Sequence, residues 1–207
     1  MKILISNAHV LHPDGTVREG NIAIEGNKIA AVGEIPASWQ PERTIDAKDR
    51  LAVPGFVNAH THASMTLLRS YADDMKLMDW LQQKIWPIEA KMRNEDIYWG
   101  AMLAAVEMIQ GGTTTFADMY GPDMEKVAEV VEESGLRAVL SRGLIGVVPD
   151  ADEKLAENVT LFKNWHQRAE GRITVMFGPH ALYTCPPDYL HKVAEAAKSL
   201  GAEIHIR

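Results

Sequence analysis

The chain has 207 residues, 46% hydrophobic and 24% charged, enough for one large domain or one and a half small ones around a sizeable core. Lys and Arg total 21 against 28 for Asp and Glu, a net charge of −7 with no basic cluster, which argues against nucleic acid and membrane surfaces as partners. No apolar run reaches the length of a signal segment or a membrane span, so the expected compartment is cytoplasmic, and a single cysteine, Cys185, excludes an internal disulfide and any multi-thiolate metal site.

The first 50 residues read as short strands at 2–10, 21–24 and 28–32, the last after a Glu25-Gly26-Asn27 turn, giving a small β unit. An apolar run at 51–58 predicts a strand that leads into a long mixed segment. Asn94 is placed to cap a helix with Glu95 and Asp96 in its first turn. Tyr98, Ala101, Met102, Ala105, Met108 and Ile109 then recur at helical spacing until Gly111-Gly112. A strand at 113–118, a helix at 124–134 stopped by Gly135, a strand at 136–141, a helix at 151–169 and a strand at 172–178 follow. A helix opening at Pro186-Pro187 turns Leu190, Val193, Ala194, Ala197 and Leu200 inward, and 202–207 reads as a last strand. From Leu51 this makes five strands alternating with four helices. Continuous apolar strands such as Ile173-Thr174-Val175-Met176-Phe177 belong in a parallel sheet buried on both faces. A doubly wound sheet and a (β/α)8 barrel both fit that alternation.

The sharpest chemical feature is Pro54-Gly55-Phe56-Val57-Asn58-Ala59-His60-Thr61-His62, where a strand ends in two histidines at i, i+2. On a regular strand they point to one side, with Cβ atoms roughly 6–7 Å apart, and two such imidazoles can converge on one ion with bonds of about 2.0–2.1 Å. Functional residues of parallel α/β enzymes sit at the carboxyl ends of strands, as these do.

The phrase from Val53 to His62 resembles the first metal-binding strand of the amidohydrolase superfamily. Its continuation resembles the 5-methylthioadenosine/S-adenosylhomocysteine deaminases, a branch related to enzymes that hydrolyse guanine and triazines. That continuation runs from Met65-Thr66-Leu67-Leu68-Arg69 through Met78-Asp79-Trp80-Leu81 to Ile85-Trp86-Pro87-Ile88-Glu89. Gly111-Gly112-Thr113-Thr114-Thr115 and Gly178-Pro179-His180 extend the resemblance. It implies an α/β fold, a (β/α)8 TIM-type barrel of the metal-dependent hydrolase kind with about five of its eight strands present. Residues 1–50 would be the N-terminal part of a composite β-sandwich, and 51–207 the incomplete barrel.

The same resemblance implies one divalent metal, zinc before iron or manganese, on His60 and His62, together with a third histidine on the fifth strand and an aspartate on the eighth. The metal would make hydroxide available at neutral pH to attack C6 of an adenine nucleoside, a small-molecule substrate. A glutamate three residues past the third histidine would shuttle protons. Glu89 matches the carboxylate that accepts hydrogen bonds from both ribose hydroxyls, with a solvated acid at a helix start as the plainer reading. Arg142 matches a position that holds the amino-acid carboxylate of S-adenosylhomocysteine, against an ordinary ion pair. His180 matches a histidine that hydrogen-bonds the purine, against a structural one. Trp80, Leu81 and Trp86 would line an apolar rim or lie in the core. Cys185, His9, His12, His166, His191 and Asp118 receive no role.

The sequence departs from the family at Ile204-His205-Ile206-Arg207, where arginine stands at the third ligand position and cannot bind a cation. His205 would lie about 7 Å deeper on the same face. The expectation is therefore an amino-terminal portion of a deaminase that holds metal weakly and is inactive alone, with no catalytic residue assigned. A related hydrolase of guanine, cytosine or a triazine is the alternative, as is a catalytically dead half-barrel that serves as a binding module. Unpaired strand edges make a homo-oligomer one expected outcome.

Overall fold

The computed structural model describes residues 1–206, and the chain divides into two compact units, Met1–Gly55 and a second beginning at Phe56. In the first unit, β1 (Lys2–Leu11), β2 (Val17–Glu25) and β3 (Lys28–Gly33) form an antiparallel meander. Two short strands, β4 (Arg43–Asp46) and β5 (Leu51–Ala52), pair parallel to β1. Its core is small: Ala8, Val10 and Ala47, with Ile5, Ile22 and Ala52 packed against them. The expected strand at 51–58 is thus two strands. Leu51 and Ala52 belong to the first unit, and Val53-Pro54-Gly55 interrupts the ladder because proline supplies no amide and forces an extended approach.

The second unit carries a parallel sheet of β6 (Phe56–Thr61), β7 (Thr113–Tyr120), β8 (Arg137–Leu144), β9 (Ile173–Val175) and β10 (Gly178–Pro179). β6 pairs β7, β7 pairs β8, and both β9 and β10 pair β8 at different heights. After β6 come a 3-10 turn (Ala63–Leu68), α1 (Leu77–Trp80), a wider turn at Leu81–Ile85 and α2 (Trp86–Glu89). The longer helices are α3 (Asn94–Gln110), α4 (Met124–Ser134), α5 (Ala151–Trp165) and α7 (Pro187–Leu200), with a short α6 (Arg168–Gly171). This is an α/β architecture whose strands follow one another in sequence order.

The core between sheet and helices alternates along the strands as period two demands. Phe116 and Tyr120, Ala138 and Leu140, and Ile173 and Val175 pack against Ala101, Ala104 and Ala105 of α3 and Val127, Val130 and Val131 of α4. A second cluster joins Leu144 and Phe177 to Leu155, Cys185, Tyr189, Val193 and Ala197. Gly135 closes α4 at φ 80°, a left-handed turn that a side chain would resist.

Several expected boundaries are corrected. Arg93, not Asn94, caps α3, its backbone N–H donating to the Asp96 carboxylate at 2.9 Å, and Ile109 is 52% exposed. The helix expected at 151–169 stops at Trp165. There the His166 ring stacks on Phe162 with centroids 4.3 Å apart and its Nδ1 accepts the Val175 N–H at 3.1 Å, while Gln167, Ala169 and Glu170 take positive φ. The strand expected at 172–178 is broken after Val175. Here the buried Asn158 of α5 intervenes, its Oδ1 accepting the Arg142 N–H at 2.8 Å and its Nδ2 donating to the Met176 carbonyl at 3.0 Å. The last expected strand, 202–207, reduces among the described residues to one bridge between Phe177 and Ile204. The reading of Arg207 as an arginine at a ligand position falls outside the described residues.

Candidate active site

β6 does not run regularly to its end. Asn58 pairs Phe116 and Thr61 pairs Asp118, so three residues of β6 span two of β7. The bulge alters the plain strand geometry expected for the two histidines, and the Asn58 side chain steadies it by accepting the His60 N–H at 3.2 Å. His60 and His62 face each other edge-on with ring centroids 5.4 Å apart. Two imidazoles whose nitrogens lie about 2.1 Å from one tetrahedral ion have ring centres about 5 Å apart, so the pair fits a divalent cation. The Nδ1 of His62 lies 2.7 Å from the Met119 carbonyl. A carbonyl only accepts, so Nδ1 carries the proton and Nε2 carries the lone pair, which is the arrangement of a histidine prepared for a metal. Among the described residues no set of three or more metal-ligating side chains forms, and His60 and His62 are the two that lie together here.

The turn after His62 is fastened from two sides. The Ala63 N–H donates to Asp118 Oδ2 at 3.0 Å, and Asp118 is fully buried. Its Oδ1 and the neighbouring Thr61 Oγ1 are buried with no hydrogen-bond partner among the described residues. Burial pushes the Asp118 carboxyl up to about 7, against the lowering effect of the Ala63 amide. From the other side, Ser64 Oγ donates to the Ile97 carbonyl at 3.0 Å and Thr66 Oγ1 to the Gly100 carbonyl at 2.6 Å, both on α3. Gly100 permits this approach, since a Cβ there would lie 2.4 Å from the Ser64 carbonyl oxygen.

Glu89 ends α2 rather than opening a helix, and its Oε1 accepts a 2.7 Å hydrogen bond from the Tyr120 hydroxyl. The Tyr120 ring lies 5.7 Å from that of His62, so β7 brings Glu89 and His62 to one neighbourhood. Trp80 and Leu81 are half-buried and Trp86 is 45% exposed, which places none of the three in the deep core.

Arg142 stands two residues before the end of β8 with its guanidinium mostly enclosed. Its Nε donates to Glu157 Oε2 at 2.6 Å and its Nη1 to the carbonyls of Tyr120 and Gly143 at 3.3 and 3.2 Å. It lines a hollow of about 410 Å³ with Asp123, Glu125, Glu153 and Glu157. His180 follows β10, its N–H donating to the Leu144 carbonyl at 2.9 Å and its Nδ1 lying 3.0 Å from Thr184 Oγ1. Cys185 is a packed thiol that donates to the Leu144 carbonyl. Sequence reasoning passed over Asp118 and Tyr120. The available signal was period two along β7, which sets a carboxylate and a phenol on the same face as Phe116, a face that otherwise belongs to the core.

The Amidohydrolase family model matches residues 51–207, and the chain belongs to that family. Within it, the chain is 58% identical over 210 residues to a 5-methylthioadenosine/S-adenosylhomocysteine deaminase of Pelotomaculum thermopropionicum, covering 99% of this chain and 48% of the relative. It is 50% identical to the protein of the same name from Desulforudis audaxviator, covering 100% of this chain and 48% of that one. Among solved structures, a zinc-bound adenosine deaminase from Xanthomonas campestris superposes with a TM-score of 0.87 at 34% identity, over 99% of this chain and 48% of that one. The chain thus spans about half the length of the curated relatives it matches.

Proposed function

We propose that the protein carries out hydrolytic deamination of adenine nucleosides, 5-methylthioadenosine and S-adenosylhomocysteine, releasing ammonia. The observation that carries this reading is the His60–His62 pair, spaced for one cation and with the His62 tautomer set by Met119, beside a carboxylate, Glu89. The names of its relatives support the substrate class. His60 and His62 would hold the divalent metal, with zinc favoured by imidazole nitrogen over iron or manganese, and the metal would supply an activated water at neutral pH. Glu89 would accept hydrogen bonds from both ribose hydroxyls. Arg142 would exchange the half-exposed Glu157 for the amino-acid carboxylate of S-adenosylhomocysteine. His180 would bond the purine.

Strands that follow one another without reversal support a (β/α)8 barrel in the whole protein, with Met1–Gly55 as part of a composite β-sandwich. We read the protein as a cytoplasmic enzyme of small molecules; its acidic balance argues against nucleic acid and anionic membrane surfaces as partners, and among the described residues no helix is long and apolar enough to cross a membrane. Ammonia release by the whole protein from a substrate panel tests the reading. 5-Methylthioadenosine and S-adenosylhomocysteine should turn over best, adenosine less well and free adenine barely, and His60→Ala should abolish metal retention in elemental analysis. A free base or a triazine as best substrate would overturn it.

A further inference from the structure

Glu89 lies in a stretch with little to hold it. α1 and α2 bury none of their residues, and the turn between them buries only Ile85. A carboxylate on so loosely packed a segment would sweep through many orientations, yet recognition of two adjacent hydroxyls needs both oxygens fixed in one plane. The hydrogen bond from Tyr120 meets that need. Tyr120 is the last residue of β7 and only 8% exposed. Desolvation and the Glu89 carboxylate hold its phenol well above the usual range, so it is a permanent donor. The adjoining Met119 carbonyl fixes His62. One dipeptide at the end of β7 therefore governs both the candidate metal ligand and the candidate diol ligand.

We infer that Tyr120 is a positioning residue that sets selectivity for a ribose diol by clamping Oε1 of Glu89 and leaving Oε2 and the remaining lone pair of Oε1 for the two hydroxyls. The inference rests on the deaminase reading of Glu89. It is distinct from that reading because a carboxylate could serve the diol without help from Tyr120.

The probes are 5-methylthioadenosine and its 2′-deoxy derivative, assayed for kcat and KM with the whole protein. The wild type should prefer the diol substrate. In Tyr120→Phe that preference, the ratio of the two kcat/KM values, should fall at least about tenfold, the scale of one hydrogen bond to a charged group. The fall should come mainly through KM of the diol substrate. Glu89→Gln should lose the preference as well, and the double variant should lose no more than either single one. Replacing Tyr120 with 4-aminophenylalanine, which keeps a donor at the ring position, should restore much of the ratio, with metal content and circular dichroism reporting the fold of each variant. If both substrates decline equally in Tyr120→Phe, or if the phenylalanine and aminophenylalanine variants behave alike, the positioning role is wrong while the Glu89 reading stands. If the wild type does not distinguish the two nucleosides, Glu89 does not read the diol and both fall together.

Discussion

Asp118 shows how much a single buried carboxylate can be asked to do. It contributes an acceptor to the amide that follows His62, yet its second oxygen is buried without a partner among the described residues. A folded-state value of about 7 against an ordinary 3.8 means that, as pH rises from about 4 to about 7, the unfolded chain releases its proton while the folded chain keeps it. The folded state binds more protons throughout that window, so Asp118 lowers stability as pH rises through it and adds no further slope above. Asp118→Asn keeps an acceptor for Ala63 and cannot titrate. Urea unfolding of the whole protein at pH 5 and pH 8 should show a smaller loss of stability toward pH 8 in the variant than in the wild type. Equal slopes would mean that the carboxyl is solvated in solution.

At the scale of elements, the position of His62 depends on a close approach between α3 and the 3-10 turn. Gly100→Ala would ordinarily stabilise a helix by up to about 1 kcal/mol. Here the added methyl meets backbone at 2.4 Å, and overpacking of that kind costs about 1–3 kcal/mol. The variant should therefore melt lower than the wild type and retain less metal, because the turn must back away and take His62 with it. A higher melting temperature with unchanged metal content would show that the turn yields without consequence.

Elements announced by local signals were legible in the sequence, and those set by distant contacts were not. The helix at 124–134 was legible because periodicity and the closing Gly135 are local signals, and the His60–His62 pair because two ligand-type residues at strand spacing need no knowledge of the rest of the chain. The extension of β7 to Tyr120 was not legible, since it depends on pairing with Arg142 of β8. Nor was the role of Asp118, whose partner Ala63 is 55 positions away. The end of α5 depends likewise on a contact between His166 and Val175 that no helical period announces.

On the scale of the whole molecule, β6 is the exposed side of the sheet. Among the described residues it pairs with β7 alone, and Phe56 to His60 are all exposed. Phe56 and Val57 are 60% and 68% exposed, and Trp99, Leu103 and Val106 form an exposed apolar row on α3. The strand Phe56-Val57-Asn58-Ala59-His60-Thr61 carries no lysine or proline to discourage pairing. The 207-residue chain, expressed by itself, should self-associate at micromolar concentration, with a mass by light scattering above that of one chain. A monomer that melts in a single sharp step would show that this edge is protected in solution.

Asn158 makes a different kind of contribution. Its carboxamide takes up an N–H from β8 and gives one to the Met176 carbonyl, so a side chain imitates a peptide unit where β8 and β9 part. The sheet can then splay at Met176 without leaving those two groups orphaned in the interior, and it closes again where Gly178 and Pro179 of β10 pair Gly143 and Leu144 of β8. Asn158 thus works as a spacer, held on the same helix whose Glu157 pairs Arg142.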